Sequence, residues 1–363
     1  MMNRQILIWG ILVFQAVVVL AQGSFGKKIQ VPDYPVAKGV SAPFAGFIGD
    51  WLLVGGGCNF PDVPAAEGGK KVYYDRCYAL NLKADSLQWE PVVDLPCPIA
   101  YGCAVETPKG LVCLGGNNAG SCLTRVFQIQ KGNTASDFVI QSLPSLPETI
   151  DNAAATLLGG YIYVTGGNQQ LRQNSLYRLN LKKGTAWEKM NSYPGPVRVQ
   201  PILVNDGKSL YLAGGFQAPS DGKESVLSQD VLQYIPQTNT WKQAGMLPLE
   251  ATGEKRCLVG GGGTQAKDCL ILTGGVNYTL FKQALDGKVG KDYLTHEPSW
   301  YQFNDDVLCF DLKRQTWTVY PDVAGMARAG GILLYHRSCL YMICGETKPG
   351  IRTSKITVYL FKK

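Results

Sequence analysis

The chain has 363 residues, 35 Lys and Arg against 28 Asp and Glu for a formal charge of +7, and only two histidines. Its basic residues are dispersed, with no run denser than pairs such as Lys70-Lys71 and Lys182-Lys183, which excludes the concentrated basic stripe of a nucleic-acid binder. Charged residues make up 17% of the chain against 42 Gly, 20 Pro and 18 Tyr, a balance that favours many short strands and tight turns over helices.

The first element is a leader. Met1 to Arg4 supply a positive end, Ile6 to Leu20 an apolar run, and Val19-Leu20-Ala21 a small-residue cleavage site before Gln22. This predicts a signal peptide over residues 1–21 and a secreted or periplasmic mature chain, 22–363; an uncleaved anchor is the other reading. No later segment reaches the ~20 apolar residues of a membrane span.

From there a short apolar strand ending in a glycine pair recurs, at Leu52 to Gly56, Leu111 to Gly116, Ile162 to Gly167, Leu210 to Gly215, Leu270 to Gly275 and, with one glycine, Leu340 to Gly345. Downstream strands carry aromatics, and Trp89, Trp187, Trp241 and Trp317 each open a further one. Six such units, spaced 48 to 70 residues apart, resemble the kelch repeat and predict an all-β, six-bladed kelch-type β-propeller. The last unit lacks its outer strand. Residues 28–35 have that strand's character, so the N-terminal strand is expected to complete the C-terminal blade and close the ring.

Long connections at 58–72, 216–229 and 276–305 are expected on one face, where they would build a recess. Residues 258–267, with four glycines, read as an insertion on the opposite face. The eleven cysteines are scattered, several inside apolar strand patterns, which fits buried thiols better than a disulfide framework.

The sixth glycine is followed by Glu346-Thr347-Lys348-Pro349-Gly350-Ile351-Arg352-Thr353. Pro349 and Gly350 suit the central positions of a type II turn, which returns Arg352 toward Glu346. In a regular two-residue hairpin, however, Arg352 would oppose Thr347, so a shared site requires local irregularity. A surface ion pair is the other reading of this spacing.

This segment is similar to the motif around the acid/base site of the N-acetylneuraminate epimerase (sialic acid mutarotase) family. Gly274-Gly275-Val276-Asn277 with Phe281, the turn from Tyr193 to Arg198, and Gly39-Val40 with Phe44-Ala45-Gly46 add to the likeness. The motif lies near the C-terminus here and mid-chain in the family, so the resemblance is to a cyclically permuted branch. Ile99 stands where the family has an Arg.

The resemblance implies an isomerase for a small sialic acid, with Glu346 and Arg352 catalytic, and Arg198, Asn59 and Asn277 facing the same mouth as substrate contacts. It implies no cofactor and no metal; His296 and His336 form no ligand-spaced cluster. It says nothing of oligomeric state. The alternative is a non-catalytic secreted propeller that binds a glycan or protein partner, which an exposed aromatic patch at Phe281, Tyr293, Trp300 and Tyr301 would favour.

Overall fold

A computed structural model describes residues 18–21, 25–134 and 137–361. Six antiparallel sheets follow one another in chain order, five of four strands and one, the fifth, with an added outer strand that runs parallel; we number them blades 1 to 6, with strands a to d from the axis outward. Blade 1 is Phe44–Ile48, Trp51–Gly55, Arg76–Asn81 and Trp89–Asp94; blade 2 opens at Cys103–Thr107, blade 3 at Ala154–Leu158, blade 4 at Ile202–Asn205 and blade 5 at Gly262–Ala266. Blade 6 takes Ile332–His336, Cys339–Ile343 and Ile356–Leu360 from the C-terminal end of the chain. Its fourth strand is Lys27–Ile29, paired antiparallel as Lys27 with Leu360 and Ile29 with Val358. The ring is therefore closed by the N-terminal strand, as the missing outer strand required.

The blades are bolted at three levels. Outside, tryptophan Nε1 donates to the turn leaving the preceding blade: Trp89 to Pro32 O at 3.2 Å, Trp187 to Pro144 O at 2.8 Å and Trp241 to Asn191 O at 2.8 Å. In the middle, apolar side chains from adjacent sheets interdigitate, as Val54 and Leu80 of blade 1 do with Tyr341 and Val358 of blade 6. Each such fully buried aliphatic side chain contributes about 1.5–3 kcal/mol. Inside, one residue before each strand a lies in the left-handed region: Ala42, Tyr101, Asn152, Gln200, Gly260 and Gly330. The N–H of each donates to the carbonyl of its counterpart in the preceding blade at 2.7–3.3 Å, so six backbone hydrogen bonds form a closed ring around the axis.

The paired glycines have a defined duty. In blades 2 to 5 both members take positive φ, as with 115–116 and 274–275, while in blade 1 the pair is Gly56 and Gly57; a Cβ at Gly275 would sit 2.3 Å from Cys257 O. Only glycine permits that approach. In blade 6 Cys344 takes the first place, at φ 53°.

One expectation fails. Residues 258–267 are no insertion, because Gly262–Ala266 is the innermost strand of blade 5. A Cβ on Gly262 would lie 2.5 Å from Leu333 Cβ of blade 6, and one on Gly263 2.2 Å from Ile202 Cγ2 of blade 4. The glycines answer close blade approach at the axis rather than loop freedom. The cysteines of the strand patterns do fill the blade interiors: Cys77, Cys103, Cys113 and Cys344 are buried thiols.

The expected leader lies outside the described residues except for its last four. Of these, Val18–Leu20 run parallel to the outer strand of blade 5, Val18 opposite Trp317 and Leu20 opposite Val319. Among the described residues no helix is long and apolar enough to cross a membrane.

Candidate functional site

Three cavities lie along the axis, the smallest of them, about 100 Å³, at the ring of Ala42, Tyr101, Asn152, Gln200, Gly260 and Gly330. The channel proper, about 480 Å³, is lined by the six innermost strands, whose aliphatic side chains share its wall with Glu106, Asn205, Thr264 and Gln265. The second, about 380 Å³, opens at the face where the b–c and d–a connections meet, and it contains Glu346.

Glu346 enters this mouth on the hairpin Glu346–Lys348 and Ile351–Arg352. Gly350, at φ 82°, supplies the positive φ of the turn. The ladder pairs Lys348 with Ile351 and then Glu346 with Arg352, leaving Thr347 as a bulge. That irregularity puts the two side chains on one face, and Arg352 Nη2 lies 2.6 Å from Glu346 Oε1. The hairpin base is fixed by Glu346 N donating to Ala329 O at 2.6 Å and Thr353 N to Gly345 O at 2.9 Å.

The Arg352 side chain is only 3% exposed, against 20% for Glu346. Its guanidinium lies 4.7 Å from the Phe60 ring centroid, and its Nε and Nη1 have no hydrogen-bond partner within the protein. Both donors are unspent but screened from solvent, and Arg352 is not among the residues that line the mouth cavity; its Nη2 contact with Glu346 is what connects it to that cavity. Burial raises the Glu346 carboxyl above its usual range, with Arg352, Lys71 and the Gly350 N–H opposing. A carboxylate so raised is a better base near neutral pH than an exposed one.

The 60–71 connection of blade 1 supplies Phe60 and Lys71, while Tyr101 comes from the axial ring. Lys71 Nζ donates to Tyr101 Oη at 3.3 Å and sits 5.1 Å above the Tyr101 ring. Beside them an amide cluster surrounds Asp151, which accepts from Asn117, Asn152 and Asn168 Nδ2 and from Cys122 Sγ at 2.6–2.8 Å. Burial alone would raise Asp151, but these four donors hold it below the ordinary range.

The facing wall is apolar and comes from the long connection of blade 5. Its helix Tyr278–Leu285 turns Leu280, Phe281 and Ala284 into the cavity, with Tyr293, Tyr301 and Phe303 following. Phe281 packs edge-on against Phe216, and Lys348 Nζ donates to His296 O at 2.6 Å, tying this connection to the Glu346 hairpin. Phe281, Tyr293 and Tyr301, three of the four aromatic residues that an interaction surface would expose, are thus turned inward. Trp300 remains 39% exposed and stacks on His296, whereas Tyr301 is buried.

The other expected contacts fare differently. Asn277 reaches the cavity, but its Oδ1 accepts from Leu280 N as the helix cap and its Nδ2 faces Gln302 Oε1 at 3.4 Å. Asn59 is buried away from it, donating to Gly39 O at 2.7 Å and accepting from Tyr74 Oη.

Arg198 must be corrected outright: it is fully buried, its Nη2 pairs with Asp230 at 2.7 Å, and its Nη1 donates to Gly214 and Asp230 carbonyls. It lies two residues before the ring residue Gln200, and Arg328 stands likewise before Gly330, donating to Cys344 O and Lys355 O. Ile99 holds the same place before Tyr101 and is equally buried. In blades 4 and 6 this position braces a blade from within, and Ile99 fills it with an apolar side chain packed in the core.

For a metal, Asp305, Asp306 and Asp322 bring carboxylate oxygens within 4.8 Å of one another, but Asp306 already pairs with Arg256 at 2.8 Å and none of the three lines the mouth cavity.

Fold and mouth together define a six-bladed propeller that carries a buried carboxylate–guanidinium site at one end of its axis. Residues 143–363 match the N-acetylneuraminate epimerase family, and the chain belongs to it. It is 31% identical over 229 residues to the N-acetylneuraminate epimerase of Salmonella enteritidis PT4 (strain P125109), and 29% over 231 residues to that of Haemophilus influenzae (strain PittEE). Each match covers 59% of this chain and 57–58% of the relative, a little over half of its length. The solved structure of YjhT shares the fold, with a TM-score of 0.63 at 16% identity over 90% of this chain and 96% of that one.

Proposed function

We propose that this protein is a sialic acid mutarotase, interconverting the α and β anomers of N-acetylneuraminate by ring opening and closure. One observation carries the reading: the bulge at Thr347 sets Glu346, a carboxylate raised by burial, against Arg352, whose remaining donors are unspent. Family membership supplies the substrate class.

The anomeric carbon of a sialic acid bears both a hydroxyl and a carboxylate. The Arg352 fork suits that carboxylate, and Glu346 is the base that takes the hydroxyl proton. As the carbon–ring oxygen bond breaks, the carbonyl forms and the ring oxygen gains a proton. Rotation and reclosure on the other face, with the protons returned, give the second anomer. The reaction runs slowly in water, so one base with a guanidinium at its side is enough to accelerate it.

The family motif near the C-terminus and a sequence match confined to 143–363 support a cyclically permuted ring. Export of the chain, secreted or periplasmic, rests on the leader pattern of residues 1–21. The inward-turned aromatics weigh against the non-catalytic reading. The test is to release α-N-acetylneuraminate with a sialidase and follow its conversion to the β anomer by proton NMR, with and without the protein.

A further inference from the structure

Ring opening needs a second proton carrier, one that gives a proton to the ring oxygen as Glu346 takes one from the anomeric hydroxyl. We infer that Tyr101 is that donor and that Lys71 stabilises the tyrosinate it becomes; the inference rests on the mutarotase reading.

Tyr101 lines the same cavity as Glu346, and it accepts from Lys71 while keeping its own proton. A phenol has one proton and two acceptor lone pairs, and an ammonium has only protons to give. Lys71 Nζ therefore donates to Tyr101 Oη, at 3.3 Å, and the Cys58 thiol donates to the same oxygen at 3.4 Å. The single Cys58 thiol proton also has Ser41 O within reach at 3.9 Å, so the Lys71 contact is the firm one; it uses a lone pair and leaves Tyr101 its proton beside the cavity that Tyr101 and Glu346 jointly line. Burial, with Cys58 and Glu346 adding to it, holds the phenol protonated at rest, the form an acid requires.

Nor does the fold need a side chain here. The ring position takes left-handed backbone, and blades 5 and 6 fill it with Gly260 and Gly330. A tyrosine at φ 60° sits where glycine would be unstrained. Its ring leans under Lys71 and beside the Glu346–Arg352 pair instead of joining a blade core.

The step balances. Glu346 accepts the hydroxyl proton, the oxygen's electron pair forms the carbonyl, and the carbon–ring oxygen bond breaks toward the ring oxygen. That oxygen takes the Tyr101 proton, leaving a tyrosinate beside the Lys71 ammonium. Closure reverses each transfer, tyrosinate recovering the proton and Glu346 returning its own.

The experiment measures kcat and KM for N-acetylneuraminate anomer exchange by NMR in wild type, Tyr101→Phe and Lys71→Gln. Tyr101→Phe keeps the ring, and kcat should fall about 100-fold or more with KM nearly unchanged. Lys71→Gln should lower kcat less, again without raising KM. A wild-type protein that does not accelerate the exchange overturns the mutarotase reading itself. Acceleration by wild type and equally by Tyr101→Phe overturns the role of Tyr101 alone. Should Tyr101→Phe lose its cooperative thermal transition, Lys71→Gln decides, and an unchanged kcat there overturns the inference.

Discussion

Glu346 stands directly across from Arg352 because Thr347 is pushed out of the ladder between them. In a regular hairpin the two side chains would point to opposite faces, one into the mouth and one away from it. The bulge, held by Gly350 at φ 82°, turns an ordinary strand end into a site. Gly350→Ala should therefore act on both stability and chemistry. Its Cβ would lie 2.7 Å from that of Ala65 and the backbone is left-handed, so a cost of about 1 kcal/mol or more is expected, together with slower anomer exchange. Thermal unfolding and NMR exchange on one preparation measure the two effects.

Arg352 and Lys are not equivalent at this site. Arg352→Lys keeps the charge opposite Glu346 but loses the planar fork whose Nε and Nη1 are unspent. KM for N-acetylneuraminate should rise about tenfold or more, as expected for the loss of a charge-assisted bidentate contact. An unchanged KM would remove Arg352 from carboxylate recognition.

The acid limb of the activity profile should report Glu346. A base must be ionised, and burial raises this carboxyl while Arg352 and Lys71 pull it down. Activity should thus be lost, as pH falls, through a midpoint above the ordinary glutamate value of about 4.3. Lys71→Met removes one of the lowering charges, and the limb should move to higher pH. A limb at the ordinary value in both proteins would contradict the burial argument.

Arg198 and Arg352 should separate cleanly. Arg198→Met breaks the buried pair with Asp230 and two carbonyl contacts, and should cost roughly 2–3 kcal/mol of stability while leaving KM alone. Chemical denaturation and steady-state kinetics on that variant check the assignment.

What the sequence revealed follows from how local each signal is. Glycine pairs, strand-opening tryptophans and the orphaned sixth blade are local patterns, and each predicted its element. The Glu346 to Arg352 segment was legible for the same reason, including its need for an irregularity. Gly262 and Gly263 misled because what they accommodate is Leu333 and Ile202 from neighbouring blades. Arg198 misled because its burial depends on position relative to the axial ring, which has no sequence period. Lys71 and Tyr101 were missed because the closing ring, and no motif, brings positions 71, 101 and 346 together.

The N-terminal strand joins that closure to the site. Lys27–Ile29 completes the blade that carries Glu346, and Tyr34 N donates to Ser354 O at 2.8 Å, just past Arg352. Deleting residues 25–34 should lower the unfolding temperature and abolish exchange together. Full activity without them would overturn the closure.

The most direct test compares wild type with Glu346→Gln in the relaxation of freshly released α-N-acetylneuraminate, followed by NMR. Wild type should shorten the half-time well below that of buffer, and Glu346→Gln should fall back close to the buffer rate with its fold intact. A wild-type rate equal to buffer, or a Gln variant as fast as wild type, would contradict the assignment of Glu346 as the base.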